Sequence, residues 1–484
     1  MSSFLPIFPK LLILLNYVFI IIVLFGKKSP SKTISWLLVL YFMPTLGFIL
    51  YLFFGIDWRK KRIISRISES KYLNEEGNKT TTYRENLLLK GHIEANAKKE
   101  LINIAATATK LPLYENNSIQ VFSNTNTIFQ SMINDIENAT HHIHLEFYII
   151  NNDSTGQILR DALLKVASKN VSIKIIVDVI GSRKSLKSNF FKVLKKHPNI
   201  NLAAFRPVWI PLVNLKANYR NHRKLIIIDG TIGYLGGMNV GDEYLGKNKR
   251  FGYWRDTAIR ITGESVNNIQ LVFFQDWYFV KKIRLSRNPF YFPDFSNTCF
   301  GTSLTHIVPS SPHSNWDTIA QLYFESIASA RTSLYITTPY FIPDEALLMA
   351  LKTAALGGCD VKLLVPGRPD HILTFLATTS FFEEVLASGV QVFTYDPHRF
   401  VHSKVITVDN MVASIGSANV DQRSMNINFE ITAFIYDKKV VATINEHFMN
   451  DLKHSRQIYL SDLQQRSIFI KTAESVARLF SPIL

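Results

Sequence analysis

Cysteine is almost missing from this chain. Cys299 and Cys359 are the only two in 484 residues, and they lie far apart without ligand spacing. That argues against a disulfide framework or a structural zinc site and is compatible with a reducing compartment. Acidic residues are also scarce: 38 Asp and Glu stand against 54 Lys and Arg, a formal charge of +16. Such an excess suits nucleic acid, an anionic membrane surface or an anionic substrate, and says nothing about fold. No low-complexity tract appears, and the length allows two sizeable cores with a few extra segments.

Charge is missing altogether from parts of the N-terminus. Leu11 to Gly26, "LLILLNYVFIIIVLFG", is apolar apart from Asn16, and Ile34 to Ile56 runs for 23 residues without a charge. At ~1.5 Å rise per residue the second run can cross a ~30 Å hydrocarbon core. The first has the length of a signal-peptide core, but no small-residue cleavage site follows it; two lysines and the second run do. The expectation is an uncleaved transmembrane helical hairpin in residues 1–66, with spans at about 8–26 and 34–56. Lys27, Lys28 and Lys32 between the spans are outnumbered by Arg59, Lys60, Lys61, Arg62 and Arg66 after them, which puts the later chain on the cytoplasmic side. The run Arg59 to Arg62 reads as a juxtamembrane anchor to anionic lipid rather than a nucleic-acid patch.

Beyond a polar linker, residues 67–110, the chain repeats itself. The first half (111–290) has an apolar strand at His142 to Ile150, helical periodicity from Thr155 to Asn170, and a second strand at Val171 to Val179. The second half (291–484) has the same order at Thr332 to Ile342, Asp344 to Gly358 and Asp360 to Gly367. Alternating strands and helices predict an α/β layer architecture, and two tandem copies predict similar domains about a pseudo-twofold axis.

Each copy then reaches a matching stretch, "NHRKLIIIDG" from Asn221 and "VHSKVITVDN" from Val401. Side chains two apart on a strand share a face, so His222 points with Lys224 and His402 with Lys404. Brought to one cleft, one imidazole can attack while the other serves as acid and then base. The two lysines supply fixed positive charge to a phosphate under attack. A lone H-x-K is usually a polar strand edge; the recurrence at matching places reverses that reading. Asp229 and Asp409 sit seven residues beyond the histidines, on the opposite face and beside the turn signals Gly230 and Asn410, so geometry gives them a turn. Downstream, Asn239, Ser417 and Asn419 can bring donors to phosphate oxygens. Glu430 is expected to orient His402, and Asp256 to orient His222.

The doubled H-x-K-x-x-x-x-D signature, each followed by G-G/S-x-N, resembles the phospholipase D superfamily. Within it the pattern is similar to the two-span bacterial cardiolipin synthases, through "NYRNHRKLIIIDG", "GGMNVGDEY", "GYWRDTAIRITG", "TPYFIPD", "GSANVDQRSMNINFE" and "ARLFSPIL". The resemblance implies an αβαβα fold in each half and one shared site with His222, Lys224, Asp229, His402, Lys404 and Asp409 as its signature residues. It implies that a histidine attacks one phosphatidylglycerol, releases glycerol, and hands the phosphatidyl group to a second phosphatidylglycerol. It further implies no metal or other cofactor, no nucleic-acid partner, and a place in the bacterial inner membrane. By analogy with relatives His222 is the nucleophile.

Other readings stay open. A hydrolase on the same scaffold, either a lipid phosphodiesterase or a membrane-tethered nuclease, differs only in what resolves the intermediate. A silent lipid-binding protein is disfavoured by the intact H-x-K pairs. His141, His142 and His144 suggest zinc but lack a third ligand on the shared face. Glu146 either reaches the cleft or has a buried structural partner, and "ESVARLFSPIL" either lies on a membrane or packs on the body.

Overall fold

The computed structural model describes residues 17–25, 30–51, 97–205, 219–312, 314 and 316–484, in two compact units. In the N-terminal unit, residues 17–25 are helical and the second apolar run forms two helices, Pro30–Phe42 and Pro44–Leu50. The break falls at Met43 (φ −132°, ψ 67°), because the ring of Pro44 disfavours helical backbone in the residue before it. Val23, Leu40 and Tyr51 close the contact between the helices, and Phe19 meets Phe48 and Tyr51 edge-on. Phe25, Tyr41 and Phe42 point outward. No helix among the described residues is long and apolar enough to cross a membrane. The rest of the expected spans, residues 8–16, 26 and 52–56, lies outside the described residues, as do the basic flanks at 27–28 and 59–66.

The body is built on two sheets. The first contains β1 (Asn117–Phe122), β2 (His142–Phe147), β3 (Ser172–Asp178), β4 (Ile200–Phe205), β5 (Leu225–Ile228), β6 (Ile232–Gly236) and, after a short β7 (Trp254–Arg255), β8 (Ala258–Gly263). Its order is β1-β8-β6-β5-β2-β3-β4. The second contains β9 (Leu304–Ser310), β10 (Ser333–Thr337), β12 (Asp360–Val365), β13 (Gln391–Tyr395), β15 (Val405–Val408), β16 (Val412–Gly416), β18 (Glu430–Tyr436) and β19 (Ser455–Ile458). Three two-residue strands, β11 (Phe341–Ile342), β14 (Phe400–Val401) and β17 (Val420–Asp421), stand outside it. Read as β9-β18-β16-β15-β10-β12-β13-β19, the second order repeats the first and adds one edge strand. The helices Ser154–Ala167 and Glu345–Leu356 make the crossovers between the parallel pairs β2/β3 and β10/β12.

Each half therefore supplies one sheet, whereas an αβαβα half would need two. The five layers belong to the pair. Helices 125–137 and 154–167 cover the outer face of the first sheet, and helices 318–328, 345–356 and 372–379 cover that of the second. Between the sheets Leu225, Leu235 and Ile259 share one core with Ile415, Ile431 and Ala433, completed by helices Ser265–Lys281 and Lys438–Leu452. β2, β5, β15 and β18 are buried along their whole length, as strands covered on both faces must be. Of the expected linker, residues 67–96 lie outside the described residues. The remainder carries the helix Lys99–Thr109, whose Leu101, Ile102 and Ala105 join the core of the second half.

Asp229 and Asp409 occupy the tight β5–β6 and β15–β16 turns, each at φ 51°. The Asp229 carboxylate accepts the N–H groups of Thr140 (2.7 Å), His141 (2.8 Å) and His142 (2.9 Å), and the Thr140 hydroxyl. The Asp409 carboxylate accepts N–H groups of Arg331, Thr332 and Ser333 and the Lys98 ammonium at 2.8 Å. Both thus pin the first residues of a central strand, β2 or β10. Burial alone would push the Asp409 carboxyl up, but Lys98 and the N–H donors hold it at about 2. A depressed carboxyl stabilises the fold above the ordinary carboxylate range and loses that contribution as pH falls through about 2. Asn tolerates the left-handed turn but turns a donor toward donors. Asp409→Asn should therefore lower stability at pH 7 by about 1–3 kcal/mol. Thermal scans of the detergent-solubilised protein check this, and the gap from the unsubstituted protein should close toward pH 2.

Candidate active site

His222 and Lys224 lie at the entrance to β5, and His402 and Lys404 at the entrance to β15. The backbone there is held by the opposite half. The His222 N–H donates to the Phe429 carbonyl at 3.0 Å, and the His402 N–H to the Arg255 carbonyl at 2.7 Å. The same crossing sets Asn221 beside Phe429 and β14 parallel to β7. Phe429 precedes Glu430 and Arg255 precedes Asp256, so each stitch delivers a carboxylate to a histidine of the other half. His222 Nδ1 lies 3.0 Å from Glu430 Oε1, and His402 Nδ1 lies 2.8 Å from Asp256 Oδ2. The expected partners are exchanged: Glu430 orients His222 and Asp256 orients His402. Neither half alone holds a complete pair.

Both carboxylates are fully buried, whereas the imidazoles keep 14 % and 9 % side-chain exposure. Burial holds His222 and His402 down at about 4, against the pull of their carboxylates, so both rings are neutral at pH 7. With Nδ1–H donated to a carboxylate, the Nε2 lone pair of each ring is left for chemistry. Burial also lowers Lys224 to about 7 and Lys404 to about 8; the charge of Lys404 acts on both His222 and Lys224, and that of Lys224 on His402. The four motif side chains therefore share one electrostatic site. Each lysine ammonium is anchored on the carbonyl of its own histidine, Lys224 at 2.6 Å, and Lys224 also faces the Tyr148 ring.

The carboxylates have unequal surroundings. Glu430 accepts from the Ser417 hydroxyl (2.5 Å) and the Asn428 amide (3.1 Å) as well as from His222. Burial would raise its carboxyl, but His222 and Lys224 more than offset that and keep it below the ordinary range. Asp256 is a methylene shorter and sits against Gly237, where a Cβ would stand 2.3 Å from its Oδ1. The Gly237/Ser417 difference thus follows from carboxylate length. Ser417 supports Glu430 directly. Asn239 accepts from the Ile149 N–H (3.2 Å) and Asn419 donates to Asp421 (2.9 Å), so both amides are engaged in tying loops together. Asp229 and Asp409 stand at the opposite end of the strands from the histidines.

The residues between His and Lys point the other way and were not singled out by the motif. Arg223 is buried, donates to the Glu430 and Ser310 carbonyls (3.0 Å each) and pairs with Asp276. Ser403 meets the Thr257 hydroxyl across the halves. The alternation of a strand was the signal for both. Glu146 lies beneath the motif: it accepts from the Asn221 amide, and burial beside Asp276 pushes its carboxyl well up. His142 and His144 both turn to Gln270 (3.3 and 3.2 Å), and His144 stacks on Phe273 in the inter-sheet core. Among the described residues no three His, Cys, Asp or Glu side chains are grouped to hold a metal ion.

The family model described as cardiolipin synthase, PLD-like domain, matches residues 132–277 and 323–452, one segment on each sheet. A second, described as phospholipase D-nuclease N-terminal, matches residues 14–55. The chain is 39 % identical over 479 residues to a cardiolipin synthase of Geobacillus sp. (strain WCH70), covering 98 % of this chain and 93 % of that one. It belongs to the bacterial cardiolipin synthases of the phospholipase D superfamily. The major cardiolipin synthase of Bacillus subtilis (strain 168) is another relative, 40 % identical over 482 residues and 98 % of each chain. A phosphatidylserine synthase of Haemophilus influenzae shares the fold at a TM-score of 0.62 and 15 % identity, over 80 % of this chain and all of that one.

Loss of the lysine charges should appear as a further alkaline fall in rate. A lysine with a lowered pKa loses its charge as pH rises through that value, so kcat/KM should fall above pH about 7 to 8. A pH–rate profile of purified protein reads this, and a flat profile to pH ~10, the ordinary lysine range, would contradict it.

Proposed function

We propose that the protein is a cardiolipin synthase that moves a phosphatidyl group between two phosphatidylglycerol molecules through a phosphatidyl-histidine. One observation carries the reading. Two neutral imidazoles, each tethered through Nδ1 to a buried carboxylate, stand with two lysines in a chain matching curated cardiolipin synthases over 98 % of its length. Nε2 of His222 attacks phosphorus, the bond to the glycerol headgroup oxygen breaks, and that oxygen takes a proton from Nε2 of His402. A phosphodiester anion beside the ring raises the affinity of His402 for that proton, which burial and the Lys404 charge disfavour. His402 then accepts the proton of the glycerol hydroxyl on a second phosphatidylglycerol. The new oxygen bonds to phosphorus, the P–N bond breaks, and His222 is released. Lys224 and Lys404 balance the charge of the equatorial oxygens. One phosphodiester replaces another, so the transfer needs no nucleotide.

The membrane belongs to the same reading. The outward apolar side chains of the N-terminal helices and the family match at 14–55 support a membrane-inserted hairpin. The excess of basic residues after it supports cytoplasmic catalytic domains, 111–290 and 291–484. Detergent-solubilised protein incubated with labelled phosphatidylglycerol should yield cardiolipin and glycerol in equal amounts, unchanged by a chelator and without CDP-diacylglycerol. Phosphatidic acid as sole product would make it a hydrolase. Labelled lipid trapped on His222→Ala would move the nucleophile to His402.

A further inference from the structure

The C-terminal helix Ile468–Arg478 is docked inside out. Its body-facing side carries Glu474, buried, accepting from the Thr379 hydroxyl at 2.7 Å and paired with Arg466, with Ala477 and Ser481 buried alongside. Its far side carries Ile468, Phe469, Val476 and Leu479, which fall in one sector of roughly 100° at 3.6 residues per turn. Phe469 and Leu479 are 83 % and 78 % exposed. A helix packed on a protein surface ordinarily turns its apolar stripe inward and its charge to water. Here a carboxylate is inside and the apolar stripe is outside. Lys471 borders the stripe on one edge, and Arg478 beside it is tied to the body, paired with Glu384 and stacked over the Phe381 ring.

The position of this face suggests what covers it. The helix packs along Ile372–Thr379, which itself exposes Ile372 and Leu373. Just before that helix, Asp370 accepts from the Tyr340 hydroxyl and lies near enough to Lys404 to act on its charge. At the other end the chain folds back so that the Leu484 carbonyl accepts the Arg423 N–H at 2.9 Å. Arg423 follows Asn419 and Asp421, whose bond forms part of the cleft loops. Both ends of the apolar face thus lead to the motif of the second half. A phosphatidyl donor keeps its acyl chains in a bilayer while its phosphate enters the cleft, so the surface beside the cleft must meet that bilayer.

We propose that Ile468–Arg478, with Ile372 and Leu373, is a second membrane contact that lies in the headgroup plane of an anionic bilayer at the cleft mouth and delivers lipid to it. The apolar stripe enters the acyl boundary while Lys471 meets anionic headgroups. This rests on the lipid-transfer reading above, but a contact can be measured without turnover.

The test uses the full chain in phosphatidylglycerol vesicles, with Cys299→Ser and Phe469→Cys or Leu479→Cys carrying an environment-sensitive dye. Lipids bearing a nitroxide near the glycerol backbone should quench the dye at both positions. Separately, the pair Phe469→Ser and Leu479→Ser should reduce turnover on vesicles roughly ten-fold or more and leave turnover in mixed detergent micelles within about two-fold. No quenching, no loss on vesicles, or an equal loss in micelles would each overturn the proposal; a second copy of the chain or another segment covering the face would show as absent quenching. If the unsubstituted protein makes no cardiolipin yet the dye is quenched, the functional reading fails and the membrane contact stands.

Discussion

The bond between each catalytic-motif histidine and a carboxylate of the other half is the constraint on which the rest depends. It demands that the halves cross at two places, Asn221–Phe429 and β14–β7, because only there do the Phe429 and Arg255 carbonyls receive the histidine N–H groups. That crossing fixes the inter-sheet core, since Leu235 and Ile259 can meet Ile415 and Ile431 only in the same docking. Arg223 spans the same seam to the Glu430 and Ser310 carbonyls. Fold and site are one interface, and loosening either would disturb the other.

Burial does the electrostatic tuning. An exposed imidazole would be partly protonated near neutrality. Desolvation removes that proton from His222 and His402 and leaves an Nε2 lone pair on each ring. The same desolvation destabilises the lysine charges, which the buried carboxylates partly restore. A site of this kind is poised for an anion: a phosphodiester would stabilise the ammonium groups and the imidazolium needed for departure of the leaving group.

Much of this was legible in the sequence, and the gaps have physical causes. The shared face of His222 and Lys224 follows from the two-residue period of a strand, and the turn role of Asp229 follows from its odd spacing and the adjoining Gly230. The repeated order of strands was visible because each copy keeps its own β-α-β signal. The exchange of Glu430 and Asp256 was not, since motif order places each carboxylate in the same half as the wrong histidine and only packing decides. Gly237 against Ser417 was visible, but not that Asp256 leaves no room for a Cβ at 237 whereas the Ser417 hydroxyl donates to Glu430. The helix Lys99–Thr109 read as linker because its buried Leu101, Ile102 and Ala105 are few among polar and small residues.

The central claim is that the two motifs form one composite site and not two independent ones. Single-turnover and steady-state transfer should be measured for His222→Ala and His402→Ala separately in the full-length protein. One composite site predicts that each substitution alone abolishes transfer, with covalent lipid forming on at most one of the two variants. Retention of about half the activity by each variant would mean that each half works alone with its own histidine, and would contradict the account.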